Sequence, residues 1–179
     1  MLVAGIILAA SIVQAHAQDD GVFWCTHALH NVFRDTPMPA GEVSKLTLSG
    51  ARGQTVGGQI VIKAGSTHSK IGRLRSNGLR TDDGRYAIPR SAFSWAAVEY
   101  FRVAKNSTHT PATELARQAP ADFPDAFSEA AEVTIPTRTN QPIWVQFRIP
   151  SSAKPGTYSG MIEADADGDV LEVPVTLTV

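Results

Sequence analysis

Apolar and polar residues alternate strictly in two stretches near the C-terminal end, and this pattern constrains the fold more than any other feature of the chain. In residues 143–149 the odd positions carry Ile, Val, Phe and Ile, and residues 170–179 repeat the alternation with Leu and Val. Because successive side chains of a strand point to opposite faces of a sheet, each stretch predicts a strand with one buried face. Residues 158–164 predict a third strand between them.

Turn residues separate these three strands. Lys154-Pro155-Gly156 precedes the middle strand, where proline presets φ and glycine supplies a positive φ. Asp167-Gly168 follows it and is a strong hairpin signal. The sequence therefore predicts an antiparallel three-stranded unit. Pro174 has no N–H to donate, so the last strand either lies at an edge or turns that position away from a neighbour.

Five further strands are predicted upstream, with glycines between them, at residues 43–48, 56–63, 71–74, 85–88 and 96–103. Two stretches, 112–119 and 126–132, have helical composition over about two turns each. Roughly eight short strands separated by turn signals predict an all-β fold. We expect an antiparallel β-sandwich of immunoglobulin or jelly-roll type, with one or two short helical segments.

The first 17 residues predict a signal peptide. Leu2 to Val13 is an apolar run of 12 residues, followed by the small-x-small pattern Ala15-His16-Ala17. A membrane-spanning helix needs about 20 apolar residues, so the run predicts export rather than a stable membrane anchor. Cleavage is expected between Ala17 and Gln18. Residues 18–179 would then form one domain, either secreted or periplasmic in a bacterial envelope.

The net charge and the number of cysteines restrict the classes of function that the chain is expected to have. The formal net charge is −1, and the chain contains no run of Lys or Arg. Nucleic-acid binding needs a clustered basic surface, so it is not expected here. The single cysteine, Cys25, cannot form a disulfide within the chain.

Three short motifs contain groups that could carry chemistry, and each has a simpler interpretation. Cys25-x-His27-x-x-His30 offers three zinc ligands but no obvious fourth. Asp165-Ala166-Asp167-Gly168-Asp169 resembles a calcium loop but is flanked by predicted strands. Asp82-Asp83-Gly84 is typical of a turn rather than of an acid/base pair. We therefore predict no catalytic, metal-binding or cofactor-binding residue in the chain.

Aromatic side chains are the remaining candidates for a binding role, since exposed rings mark contacts with sugars or other domains. Trp144 points away from the apolar face of its predicted strand, so it is the first candidate. Trp95 and Trp24 are the others. An apolar face around Trp144 would favour packing against a domain, whereas a flat row of Trp and Tyr would favour glycan binding.

Several stretches together resemble the N-terminal β-sandwich of secreted family 123 glycoside hydrolases. They are Ala51-Arg52-Gly53-Gln54 with Gly58-Gln59-Ile60-Val61-Ile62, Asp122-Phe123-Pro124-Asp125, Asn140-Gln141-Pro142-Ile143-Trp144-Val145, Ala153 through Gly160, and the opening segment Trp24 through Pro37. Within the first stretch, Arg52 and Gln59 begin a strand as a polar pair, and their plain physical role would be to pin a neighbouring backbone.

The resemblance implies an accessory role. In such enzymes the sandwich precedes a (β/α)₈ barrel that carries an Asp–Glu pair and cleaves N-acetylhexosamine linkages. A barrel needs about 250 residues, so no catalytic residue carries over to this chain. We expect an N-terminal fragment of a longer exported protein, with the downstream catalytic domain as its partner and a polysaccharide as a further possible ligand. The alternative is a stand-alone carbohydrate-binding or cell-surface adhesion module. An enzyme complete in this chain is disfavoured.

Overall fold

The computed structural model describes residues 22–41 and 44–179, which form two β-sheets. Sheet 1 has the order β1 (Val22–His27), β3 (Thr55–Lys63), β9 (Asn140–Arg148), β6 (Phe93–Val103) and β7 (Ala121–Ser128). Sheet 2 has the order β2 (Leu46–Ser49), β11 (Asp169–Thr178), β10 (Thr157–Ala166), β4 (Ser69–Arg80) and β5 (Ala87–Ile88), and β8 (Val133–Ile135) also pairs with β4. The predicted β-sandwich is confirmed. The predicted signal peptide, its Ala17–Gln18 cleavage site and Val43 lie outside the described residues.

The three C-terminal strands have the predicted boundaries to within a few residues. Asp167 and Gly168 connect β10 to β11 with φ values of 54° and 92°, as a two-residue hairpin with two left-handed positions requires. Pro174 lies one residue before β11 begins to pair with β2. This is the second alternative that the sequence allowed, a position turned away from a neighbour. The β2–β11 pair is parallel, so the fold is not wholly antiparallel.

Apolar residues from the facing sides of the two sheets make up the core. β9 contributes Ile143, Val145 and Phe147, all fully buried. The Tyr158 ring is buried beside them, and its hydroxyl donates to the Lys154 carbonyl oxygen at 2.8 Å and accepts from the Lys154 N–H at 3.1 Å. These two bonds tie the turn before β10 to the Tyr158 side chain. They also satisfy a hydroxyl that would otherwise be buried without a partner.

Both predicted helices are wrong. Of residues 112–119, only Ala112–Glu114 form a single 3₁₀ turn. Residues 126–128 of the second segment belong to β7, which pairs with β6. A helix of two turns is marginal without packing, whereas the edge of β6 offers this segment a full set of backbone partners. β1, β7 and β8 were not predicted as strands. None of the helical turns in the described residues is long and apolar enough to cross a membrane.

Gly78 allows β4 and β5 to approach each other closely. Its φ is +87°, and a Cβ at this position would collide with the Ile88 carbonyl oxygen. Gly84 also has a positive φ, of +70°, but a Cβ there would meet nothing within 4 Å. A substitution at Gly84 would therefore cause backbone strain alone, whereas one at Gly78 would cause both strain and a steric collision.

We expect Gly78→Ala to lower the free energy of unfolding by about 3 kcal/mol, because alanine would be strained and would also displace β5. Gly84→Ala should cost about 1 kcal/mol, from strain alone. Urea unfolding of the two variants measures both values. Equal losses would contradict the close approach of β4 and β5.

Candidate contact surface

A loop covers half of the outer face of sheet 1. We call residues 28–36 the strap, because this segment crosses three neighbouring strands, β3, β9 and β6. One polar side chain from each strand binds its backbone, and these side chains are Gln59, Asn140 and Tyr100. Gln59 and Asn140 share the face of Val61, which is opposite to that of the core residues Ile60 and Ile62.

The side-chain amides of Gln59 and Asn140 form most of the hydrogen bonds that hold the strap against sheet 1. Gln59 Nε2 donates to the carbonyl oxygens of His27, Ala28 and His30, the last at 2.8 Å. Asn140 Nδ2 donates to the carbonyl oxygens of Phe33 and Thr36 at 3.1 and 2.7 Å. The two side chains are only 4% and 1% exposed. The interpretation of Gln59 as a residue that pins a neighbouring backbone is confirmed, whereas Arg52 is exposed.

Aromatic and cationic side chains complete the attachment. The Tyr100 hydroxyl donates to the Val32 carbonyl oxygen at 2.9 Å. Burial raises the pKa of Tyr100, so the hydroxyl keeps its proton for this bond. The Arg34 guanidinium lies 4.2 Å from the centre of the Tyr100 ring, and that of Arg117 lies 3.9 Å from the Phe33 ring. Both distances are typical of cation–π contacts.

Trp24 lies beneath the strap. It is 1% exposed and packs with Val32 and Val61 in a small apolar cluster that is separate from the main core. The ring therefore has no surface to offer to a sugar or a neighbouring domain. Local sequence pattern could not reveal this burial, because the strap residues that cover Trp24 are held by side chains of distant strands.

The uncovered half of the same face carries an aromatic pair. Trp144 lies on the outer face, as the alternation predicts, and is half-buried. Its ring centre is 5.2 Å from that of Phe127, with the two planes tilted by 46°. Phe127 is 57% exposed. We call Ala96, Phe127 and Trp144 the Phe127–Trp144 patch.

Sequence reasoning missed Phe127, because residues 126–132 were predicted to be helical. In the structure Phe127 pairs with Val98 across β7 and β6, while Trp144 pairs with Ala96 across β9 and β6. The patch therefore spans three adjacent strands. The Trp144 Nε1–H donates to Gln146 Oε1 at 3.3 Å, so its polar atom already has a partner.

Trp95 is on the opposite face of sheet 1. It pairs with the core residue Val145, is half-buried, and lines a groove of about 800 Å³ beside β4. The three tryptophans predicted as contact residues thus lie in three different environments. The structure does not bring them together into a flat row.

The Cys25 motif does not converge. Cys25 packs in the main core, and burial raises the pKa of its thiol to about 12. The His27 and His30 rings stack with centres 5.8 Å apart, and His30 Nδ1 lies 3.0 Å from Thr26 Oγ1. Within residues 22–41 and 44–179, no group of three His, Cys, Asp or Glu side chains is arranged to hold a metal ion.

The aspartate motifs form turns. Asp83 Oδ1 accepts from the Thr81 hydroxyl at 2.6 Å and from the Arg85 N–H at 3.0 Å, and these bonds lower the pKa of Asp83. Asp167 Oδ1 accepts from the Lys70 N–H at 2.7 Å. Each carboxylate satisfies local backbone or hydroxyl donors, as the turn interpretation predicts.

Comparison with known proteins identifies related domains. A family model described as the glycoside hydrolase 123 N-terminal domain matches residues 30–166. The chain is similar in structure to a family 123 glycoside hydrolase from Clostridium perfringens that was studied for glycolipid glycan hydrolysis, with a TM-score of 0.72 and 17% identity. The match covers 89% of this chain but only 27% of that enzyme.

Other similarities are weaker. A PapD-like domain of human CEP192 covers 80% of this chain and 92% of its own, at 10% identity and a TM-score of 0.37. The match to CfaE, the adhesive subunit of an Escherichia coli fimbria, covers 83% of this chain and 49% of CfaE, with 10% identity and a TM-score of 0.38. These scores are too low to indicate a shared fold. No curated protein matches the chain.

We expect Gln59→Leu to lower the free energy of unfolding by about 2 kcal/mol, because the strap carbonyls of Ala28 and His30, and that of His27 just before the strap, would lose this donor. Amide hydrogen exchange in residues 28–36 should accelerate. Gln118→Leu, at an exposed position, is the matched control and should change stability by less than about 0.5 kcal/mol. An unchanged exchange rate in the strap would show that Gln59 does not hold it.

His30 should make stability depend on pH. Burial, and then the neighbouring His27, lower the pKa of His30 below its ordinary value of 6.5. The folded state therefore favours the neutral ring, and its stability is complete above pH 6.5 and falls as the pH drops through the lower folded pKa.

We expect His30→Gln to reduce the loss of stability between pH 7.5 and pH 5 relative to the parent chain, as measured by urea midpoints. His109→Gln, at an exposed position, should leave the pH profile of the parent chain unchanged. Identical profiles for the parent chain and His30→Gln would contradict the assigned environment.

Proposed function

The chain belongs to the glycoside hydrolase 123 N-terminal domain family, and from this premise we propose that it is a non-catalytic β-sandwich domain which packs against and supports a downstream (β/α)₈ catalytic barrel. The two would be parts of one longer, exported polypeptide. The chain spans 27% of the length of the Clostridium perfringens hydrolase that it resembles. The rest of that protein leaves ample room for a barrel of about 250 residues.

The Phe127–Trp144 patch is the observation that carries the proposal. Exposed aromatic surface costs free energy in water and gains it when another apolar surface covers it. The Trp144 N–H is bonded to Gln146, so a neighbouring domain can cover the ring without leaving a buried donor unpaired. The strap already occupies the other half of this face, which leaves the patch as the open part.

The shape of the patch favours a domain over a glycan. Sugar rings stack on flat aromatic platforms, whereas the Phe127 and Trp144 planes are tilted by 46°. The burial of Trp24 and the inward position of Trp95 remove the other tryptophans from this surface. A partner with side chains that interdigitate fits a tilted pair better than a planar ring does.

Export is part of the proposal. The apolar run before Ala15-His16-Ala17 supports a signal peptide, and a domain with a single cysteine folds without an internal disulfide. A secreted or periplasmic location would also place the protein where extracellular glycans are degraded.

To test the packing, the chain should be expressed together with the polypeptide that follows it in its gene. Phe127→Asp should lower the stability of this longer protein by at least about 2 kcal/mol, because a carboxylate would be buried in an apolar interface. In the 179-residue chain alone the same change should cost less than about 1 kcal/mol.

Val170→Asp is the matched control, since Val170 is an exposed apolar residue of sheet 2, and it should have equal effects in the two proteins. A stop codon directly after Val179 would overturn the proposal. So would an equal effect of Phe127→Asp in the short and long proteins.

A further inference from the structure

Strand β4 has a gap along one of its edges. β10 pairs with β4 along one edge, between Ile71 and Arg80. On the other edge β8 pairs with Ser69–Ile71 and β5 pairs with Leu79–Arg80. Among the described residues no strand pairs with this edge at positions 72–78, and the backbone of residues 88–90 packs against Gly78. The backbone groups that point to this edge at positions 72–77 therefore have no ladder partner. We call this segment the β4 gap.

A groove of about 800 Å³ lies in the β4 gap. Residues 73–77 of β4 form one side, and residues 90–91, 93–95 and 129–131 form the rest. Phe93 and Trp95 lie on the inner face of β6 and are half-buried, so they give the groove an apolar wall. The space thus combines an unpaired strand edge with an aromatic surface.

The dimensions fit an extended peptide. The six positions of the gap span about 20 Å at a rise of roughly 3.3 Å per residue. β5 and β8 both run antiparallel to β4, so an antiparallel segment in the gap would continue the line of each. The chain itself does not fill the gap, because Pro89 follows β5 and a 3₁₀ turn at Arg90–Ala92 leads into β6 of the other sheet.

The charges around the groove favour an acidic peptide. Arg73, Arg75 and Arg90 line it and are exposed, and Glu129 is the carboxylate among its described lining residues. Glu163 of β10 lies opposite Arg75, so the arginines outnumber the nearby carboxylates by three to two. Side chains of an added strand would alternate between the two faces. One set would face the wall of Phe93 and Trp95, and the other set would lie beside Arg73 and Arg75.

From this combination we propose that the β4 gap is a docking site for an extended segment of a separate protein, with acidic side chains alternating with apolar ones. The segment would add to sheet 2 as an antiparallel strand. Main-chain hydrogen bonds would supply affinity, and the arginines and aromatic wall would supply selectivity. This interaction does not depend on the barrel-packing role and uses the opposite face of sheet 1.

The direct test uses the full 179-residue chain and a fluorescein-labelled peptide Glu-Val-Glu-Ile-Glu-Val-Glu, followed by anisotropy. Saturable binding is expected, together with slower hydrogen exchange of the amides at positions 72–77. A peptide with Lys at every Glu position should bind at least tenfold more weakly, by about the effect of reversing two charge pairs. A peptide N-methylated at alternate residues should not bind, since it cannot form the ladder.

Charge-reversal variants locate the site. Arg75→Glu and Arg90→Glu should each weaken binding about tenfold, a factor that corresponds to two reversed surface interactions. Arg80→Glu is the matched control, because Arg80 is exposed on the same strand but lies beside β5, outside the gap. The affinity of the Arg80→Glu variant for the peptide should stay within about twofold of that of the parent chain.

Three results would overturn the proposal. The first is equal binding of the N-methylated peptide, which would indicate a purely ionic contact. The second is an equal loss of affinity in Arg80→Glu. The third is absence of peptide binding alongside Arg75-dependent binding of a sulfated oligosaccharide, which would make the groove a glycan site.

Discussion

Strand β9 lies at the centre of sheet 1 and has to be covered on both faces along its first half. Its inner face is buried by the sandwich core, and residues 140–143 are all buried. On the outer face, burial requires that the strap carbonyls find donors, because an unpaired buried carbonyl costs about 1–3 kcal/mol. The amides of Gln59 and Asn140 meet this requirement. The position of the strap, the burial of Trp24 and the extent of the open surface all depend on these two side chains.

This arrangement divides the outer face of sheet 1 into two parts. Beneath the strap, Trp24, Val32 and Val61 form a closed apolar cluster. Beyond it, Phe127 and Trp144 remain partly exposed. Under the proposed function, this open surface is the one that packs against a downstream domain. The β4 gap lies apart from this surface, so the two proposed contacts would use separate faces of the sandwich.

The sequence predicted those features that depend on local periodicity. The period of two placed Trp144 on the outer face and the β9 core residues inside, and Asp167-Gly168 predicted its hairpin. Phe127 could not be found in this way, because its alanine- and glutamate-rich neighbourhood has helical composition and only pairing with β6 makes it a strand. The burial of Trp24 was equally hidden. It depends on amide contacts that join residues about a hundred positions apart, such as Asn140 and Phe33, and no local pattern encodes them.

Hydroxyl-radical footprinting tests the central claim most directly. The side-chain oxidation rate of Phe127 would be compared in the 179-residue chain and in the polypeptide extended through the sequence that follows it. The account predicts that oxidation of Phe127 falls several-fold in the longer protein, while that of the exposed Tyr86, which lies just before β5, stays constant. Equal oxidation of Phe127 in both proteins, with the longer one folded, would contradict the assignment of this face as the domain interface.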